Sequence, residues 1–386
     1  EDDEIQVTMT GVSDKVTTIE LCVINKLRKR VISFQSMDDL TAVDDTILMD
    51  EGTVNVGMYH GIQEKVFINL DSSLQGMFII GNNIHNPILL FLHGGPGMPT
   101  LFLEEKYPSG LENLFTVCYW EQTGGGISYD PKLSPESVTV DRIVSDAIET
   151  TKYLLQRFHR EKIYLMGHSW GSLIGVLTVA KAPELFSAYI GVSQITNQNK
   201  SEKLAFDFMV DKFAEAGNTM MVKKFNVHNI DDGREEMIRY FKSPLRDKAM
   251  HQLGLGTMHM MKSVITGVFF PFMASKYYTF MEKINFWRAK FFLINKTKLI
   301  EELFSIDVTV NVPNLEIPVY FFSGIHDFTV NYTLSKEYLK TLDAPLKGFY
   351  TFDSSAHSPI FEEPVRFNHL LKNDVFEGKN ALADPL

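Results

Sequence analysis

From residue 65 onward the apolar residues fall into short runs punctuated by glycine, and the runs come in two kinds. "KVFINL" and "QGMFII" flank a turn at "DSS" and predict a hairpin. "PILLFL", "FTVCYW" and "KIYLMG" are apolar throughout, of strand length, and each runs into glycines. "AYIGVSQ", "IPVYFFSG" and "LKGFYTFD" extend the set. Between them, "VDRIVSDAIETTKYLLQRF" places Ile143, Ala147, Ile148, Tyr153, Leu154 and Leu155 at helical spacing. A strand apolar on both faces is one covered on both faces. Such strands alternating with helices predict an α/β fold, with a mostly parallel central sheet and helices on both sides.

The alternation stops between residues 195 and 312, where the pattern is helical and no buried strand is evident. Residues 269–292, "FFPFMASKYYTFMEKINFWRAKFF", hold ten aromatics in 24 positions, against 12% for the chain. This block is expected to be an inserted helical cap, with most aromatics in its packing and the remainder roofing a pocket. The expected organisation is an N-terminal extension (1–43), a first core segment (44–194), the cap (195–312) and a second core segment (313–386). In the extension, Ile19, Val23, Leu27 and Val31 recur every four residues beside Lys26, Arg28, Lys29 and Arg30. That pattern suits a helix on a membrane surface, so peripheral membrane contact through residues 19–34 is one reading. A helix or strand packed on the body is the one base rates favour.

Composition narrows the classes. A net charge of −11, from 48 acids and 37 bases, argues against a nucleic-acid partner, which needs a basic face. The two cysteines, Cys22 and Cys118, are far apart, and Cys118 lies in an apolar run, so neither a disulfide framework nor a thiolate metal site is implied. No apolar run approaches the ~18 residues of a membrane-spanning helix. The chain starts at Glu1 rather than Met, which suggests removal of a leading segment. The compartment stays open: cytoplasmic by default, with a secreted or surface-anchored protein as the alternative. No cofactor or metal is called for.

The chemistry sits at three glycine-rich or loop positions. "GHSWG", residues 167–171, fits the turn that lifts a serine hydroxyl above a parallel sheet. Composition alone yields such a match about once in ten chains of this kind, so the strand before it and the helix-like "SLIGVLTVAKA" after it carry the argument. "HGGPG", residues 93–97, is expected by chance only roughly once in ten thousand such chains. It follows "ILLFL" directly, where a side-chain-free amide can approach a reacting oxygen. The Gly95 and Trp170 amides are the natural oxyanion donors. A nucleophilic serine needs a base, and the base an orienting acid, in the chain order Ser, acid, His. His357, in the loop "DSSAHSP" past a late strand, suits the base better than His326 or His369. Asp327, in "GIHDF", suits the acid better than Asp353, a turn former close to His357.

With these residues assembled, the chain resembles the α/β-hydrolase superfamily, and specifically its proline iminopeptidase-like family. The resemblance rests on "HGGPG", "GHSWG", "SGIHDF" and "SSAHSPIFEEP" and covers about residues 65–380. It implies Ser169 as nucleophile, Asp327 and His357 as its partners, and Gly95 with Trp170 at the oxyanion hole. One departure is visible: where the family shows Asp-Gln-Arg-Gly-x-Gly, this chain has "EQTGGG", with Glu121 and Thr123 in the acid and arginine places. That loop borders the family's active site, making Glu121, with Gly94, a candidate substrate contact. Peptidase members hold the substrate amine with acidic cap residues. Here Glu202, Asp207, Asp211 and Glu215 are available, each read as a solvated helix face. The implied activity is a serine hydrolase releasing an N-terminal residue such as proline from small peptides. The alternatives are an esterase or lactonase on small apolar acyl substrates and, more remotely, a non-catalytic ligand-binding member.

Overall fold

The computed structural model describes residues 61–386 apart from 71 and 72. Before them it describes the backbone of five strands: β1 (Glu4–Gly11), β2 (Val16–Asn25), β3 (Arg28–Phe34), β4 (Thr46–Met49) and β5 (Gly52–Asn55). The chain divides into two compact units, Glu1–His60 and Gly61–Leu386.

In the first unit β1, β2 and β3 form an antiparallel sheet, and β4 and β5 pair separately. Of the readings offered for residues 19–34, the helical ones are therefore set aside, and the segment lies in two strands. The cause lies in the period: residues four apart share one face of a helix and also one face of a strand, so the pattern fits both. Lys26 and Leu27 lie outside the described residues. The unit carrying the main sheet begins at Gly61, not after residue 43, because β4 and β5 pair with each other and not with that sheet.

The second unit is built on eight strands in the order β13-β12-β11-β10-β8-β9-β7-β6. The hairpin of β6 (Ile62–Leu70) and β7 (Ser73–Gly81) forms an antiparallel edge. The other six strands, β8 (Ile88–Leu92), β9 (Thr116–Trp120), β10 (Ile163–His168), β11 (Phe186–Val192), β12 (Val319–Gly324) and β13 (Lys347–Phe352), are parallel. Successive side chains serve opposite faces, so Leu90 and Leu92 join one core and Leu89 and Phe91 the other. On the first face lie α2 (Val140–Phe158) and α3 (Trp170–Lys181), which bury Val144, Ala147, Leu173 and Ile174. The second face is covered by the C-terminal segment with Phe367 and Leu371, and by Leu101–Leu103 of the short α1 (Leu101–Glu104). Each such Leu or Phe contributes roughly 1.5–3 kcal/mol on full burial. Cys118 is a buried free thiol, as its apolar run predicts.

Strand order reverses at β8, which lies between β9 and β10. In open α/β sheets the crevice at such a reversal, beyond the carboxyl ends of the strands, is where ligands bind. Both glycine motifs leave the sheet there.

Every described element between β11 and β12 is helical: α4 (Gln198–Glu215), α5 (Thr219–Phe225), α6 (Arg234–Phe241), α7 (Pro244–Leu253), α8 (Phe270–Ala274), α9 (Phe280–Asn295), α10 (Leu299–Ser305) and α11 (Val308–Asn311), with short 3-10 and π turns. The two ends of this insertion meet at its neck. Asn197 bridges Asp307, the Val308 amide donates to the Thr196 carbonyl at 3.0 Å, and Asn197 Nδ2 donates to Asp307 Oδ2 at 2.7 Å. One expectation about its acids is corrected. Glu202 is fully buried, accepting from Arg246 through both carboxylate oxygens and from Gln198 Nε2 at 2.9 Å. Charges removed from water must be paired, and Arg246 supplies the pair. Asp207 and Glu215 are solvated, each beside a lysine, and Asp211 is exposed.

Candidate active site

β10 ends in a turn with Ser169 at its tip. The serine has φ 57° and ψ −122°, a strained conformation for a residue with a Cβ, and it immediately precedes the first residue of α3. The flanking glycines make the turn fit. A Cβ on Gly167 would lie 2.3 Å from the Gly171 carbonyl oxygen, and one on Gly171 would lie 2.0 Å from that of Leu92. The Ser169 amide donates to the Val192 carbonyl at 3.0 Å, tying the turn to the end of β11. The Ser169 hydroxyl makes no hydrogen bond among the described residues.

The loop after β8 lies against this serine: a Cβ on Gly94 would sit 3.2 Å from Ser169 Cβ, a close contact that favours glycine. His93 is buried, and burial pushes its imidazole down to about 4, so it is neutral at physiological pH. Its Nε2 accepts from the Gln122 amide at 3.1 Å, which leaves the proton on Nδ1, 2.8 Å from the Gly94 carbonyl oxygen. That oxygen also accepts from the Met98 amide at 3.1 Å. In a trans peptide the C=O and the following N–H point in opposite directions. Pinning the Gly94 carbonyl therefore aims the Gly95 N–H away from the loop's own donors. Gly95 itself has φ 129°, a region only glycine occupies without strain. Gln122 completes the frame, donating to the His93 carbonyl at 2.9 Å and accepting from Trp170 Nε1 at 2.9 Å. As first residue of its helix, Trp170 has an amide with no intrahelical acceptor. Among the described residues the Gly95 and Trp170 amides make no backbone hydrogen bond outside the helix, and His93 and Gln122 hold the two segments that carry them.

β12 and β13 are neighbours, and the loops beyond them bring Asp327 and His357 together: Asp327 Oδ2 is 2.9 Å from His357 Nδ1. Asp327 is fully buried, and its Oδ1 accepts from the Val330 amide at 2.9 Å. The rejected candidates are elsewhere. Asp353 and His369 are exposed, and His326 stacks on His259 with ring centroids 4.0 Å apart. The His357 backbone is clamped from two sides. Its carbonyl accepts from His168 Nε2 at 2.8 Å and Ser193 Oγ at 3.0 Å, and its amide donates to the Gly256 carbonyl, in the helical insertion, at 3.3 Å. His168 precedes the serine, and its ring lies 5.0 Å from that of His357. Burial, with His357 adding to it, pushes His168 down to about 3, keeping it an uncharged donor.

Glu362 gathers the surrounding backbone. Its Oε1 accepts from the amides of Ala356 (2.9 Å) and Ser358 (3.3 Å), on either side of His357, and its Oε2 accepts from the amide of His259 (2.6 Å) in the insertion. Burial raises its pKa, and the Asp327 charge adds to the rise. Glu362→Ala leaves those amides without their acceptor, which should cost about 1–3 kcal/mol of stability in urea unfolding. It should also lower kcat on the order of tenfold by loosening the His357 loop. Glu362→Gln, which keeps one oxygen, should fall between. Unchanged kcat in Glu362→Ala would show that the loop does not depend on this carboxylate.

Glu121 does not face the crevice. It is 1% exposed, and its carboxylate accepts from Tyr278 OH at 2.5 Å and from the Ile127 amide at 2.5 Å. Burial pushes it up to about 7. It joins the loop after β9 to the insertion from beneath, while Thr123 donates to Asp146 Oδ2 at 2.5 Å. Sequence reasoning also left His93, Gln122, His168, Ser193 and Glu362 without roles. His93 and His168 stand inside the quoted motifs, and Glu362 inside "SSAHSPIFEEP", but nothing in their spacing says which atoms they hold. Among the described residues no group of three or more His, Cys, Asp or Glu side chains could hold a metal ion.

An α/β sheet with a serine turn at its reversal and an acid–histidine pair beyond its last two strands defines a class, and comparison with known proteins agrees. The alpha/beta hydrolase fold family matches residues 87–364, and the chain belongs to it. It is 30% identical to the probable aminopeptidase YbaC of Bacillus subtilis over 317 residues, 79% of this chain and 93% of that protein. It is 28% identical to the proline iminopeptidase of Saccharolobus solfataricus over 169 residues, 40% of this chain and 52% of that one. Among solved structures, the proline iminopeptidase of Mycobacterium smegmatis shares the fold with a TM-score of 0.60 at 14% identity, covering 81% of this chain and 98% of that one. VinJ does so with a TM-score of 0.57 at 19% identity, covering 82% and 98%.

Proposed function

We propose that the protein is a serine hydrolase that works through an acyl-enzyme and releases an N-terminal residue, proline among them, from small peptides. The observation that carries the mechanism is the buried Asp327–His357 bond at 2.9 Å, with the His357 carbonyl bound to His168, the residue before a serine held at positive φ. Accepting the Nδ1 proton, Asp327 leaves His357 Nε2 with a lone pair to take the proton of Ser169 as its oxygen attacks the carbonyl carbon. The Gly95 and Trp170 amides receive the oxygen that becomes negative. His357 then passes the proton to the departing amine, and a water activated by the same histidine frees the acyl group. On this reading both donors are backbone amides of braced segments, so little reorganisation is needed. Support for a peptide substrate comes from the likeness to a protein named a probable aminopeptidase across 93% of its length.

A second reading, hydrolysis of an ester or lactone, is favoured by one observation. Glu202, the buried acid of the insertion, is neutralised by Arg246 and so is not free to hold a substrate amine. Both readings are tested by kcat/KM on prolyl and alanyl anilides, their N-acetylated forms, aryl esters and lactones. The peptidase reading expects the free-amine anilides to turn over and acetylation to cost at least about tenfold, the worth of one lost charged contact. Inert anilides beside rapidly cleaved aryl esters would replace it with the esterase reading.

A further inference from the structure

The insertion carries more apolar surface than its packing uses. Of the aromatics in residues 269–292, Phe272, Tyr278 and Phe286 are buried, with Phe272 and Phe286 stacked at 3.9 Å. Four others face solvent: Phe269, Phe270 (58% exposed), Phe280 (72%) and Phe291 (60%). Tyr277, Trp287 and Phe292 are half-buried against the core, so most of the block packs inward as expected and these four rings are the remainder. The exposed rings share a surface. Phe280, Trp287 and Phe291 recur along α9 at spacings of seven and four, which places them on one helical face. Phe269 packs on Trp287 at 5.4 Å and on Phe270 at 5.5 Å. With Ile265 the patch amounts to on the order of 500 Å², at the upper end of what a monomer exposes without using it.

Charge decides what fits it. Lys262, Lys276, Arg288, Lys296 and Lys298 are exposed around this segment, and none forms an ion pair among the described residues. Within residues 262–298 the one acid is Glu282, and it pairs with Lys65 at 3.0 Å; outside them, Glu105 at the Lys276 amide and Glu136 toward Lys298 offset part of the positive charge. So cationic a segment, seven bases to one acid in a chain of net charge −11, stands out from the rest of the molecule. A second copy docked by two-fold symmetry would bring the same cations against themselves. A bilayer with anionic headgroups would neutralise them while its acyl boundary takes up the rings.

We propose that the aromatic and basic face of residues 262–298 docks on an anionic lipid surface. Co-sedimentation of the full chain with vesicles tests it, using phosphatidylcholine alone or with about 40% phosphatidylglycerol. Binding should be at least about tenfold tighter to the anionic vesicles and should weaken as salt is raised. Phe270→Ser/Phe280→Ser should lower that binding at least about tenfold. Because both rings are exposed, the thermal midpoint and hydrolysis of a soluble substrate should be unchanged. No pelleting with anionic vesicles would overturn the proposal, and so would binding that survives the double substitution, which would place the contact on another surface. A concentration-dependent dimer abolished by the same substitution, without vesicle binding, would show instead that the face joins two copies of the chain.

Discussion

Ser169→Ala should lower kcat by several orders of magnitude, on the order of 10⁴–10⁶, with KM nearly unchanged. The size follows from the covalent step: without the hydroxyl no acyl-enzyme forms, and His357, Gly95 and Trp170 can assist only direct attack by water. The fold should survive, because alanine and serine pay nearly the same strain at φ 57° and no protein hydrogen bond of the Ser169 hydroxyl is lost. An unchanged thermal midpoint would therefore separate lost chemistry from lost structure. A fluorophosphonate probe should label the wild type at Ser169 and leave the variant unlabelled. Equal labelling of both proteins would remove Ser169 from the mechanism.

The second large effect is expected at the acid–histidine pair. His357→Ala should abolish measurable turnover, while His369→Ala, at an exposed helix position, should leave it nearly intact. Asp327→Asn should cost on the order of 10⁴ in kcat, and the structure supplies the reason. The Val330 amide donates to Oδ1, so the asparagine must keep its carbonyl there and turn its NH₂ toward His357 Nδ1. Nδ1 then becomes an acceptor, and the ring proton moves to Nε2, where it faces the serine and blocks proton uptake. The expected signature is a fall in kcat with substrate binding retained. A crippled Asp353→Asn beside a fully active Asp327→Asn would mean that the acid has been misassigned.

Much of the site was legible in the chain because its signals are local. The serine turn needs glycine where backbone meets backbone, and Gly167 and Gly171 show that need as contacts a Cβ could not occupy. Asp327 and His357 were legible only as candidates, through their places after late apolar runs. Their pairing depends on β12 and β13 being neighbours. Glu121 illustrates the limit: its position in the loop suggested substrate contact, yet Tyr278, 157 residues away, closes it off. Glu202 is another, a helix-face acid in sequence and a buried partner of Arg246 in the fold.

The sequence by itself determined the strands of the parallel sheet, the helical character of the insertion and the glycine turns after β8 and β10. Those properties follow from periodicity and backbone sterics over a few residues. Only the tertiary structure decided which histidine meets which acid, how His93 and Gln122 brace the loop after β8, and how Glu362 ties the His357 loop to the insertion. It alone decided whether residues 19–34 form a helix or strands, since an apolar residue at every fourth position satisfies both. It also separated Phe272 and Phe286, which are buried, from Phe280 and Phe291, which are not. The physical reason is the same in each case: a side chain's partner across the fold is set by the path of the chain between them, and composition does not record that path.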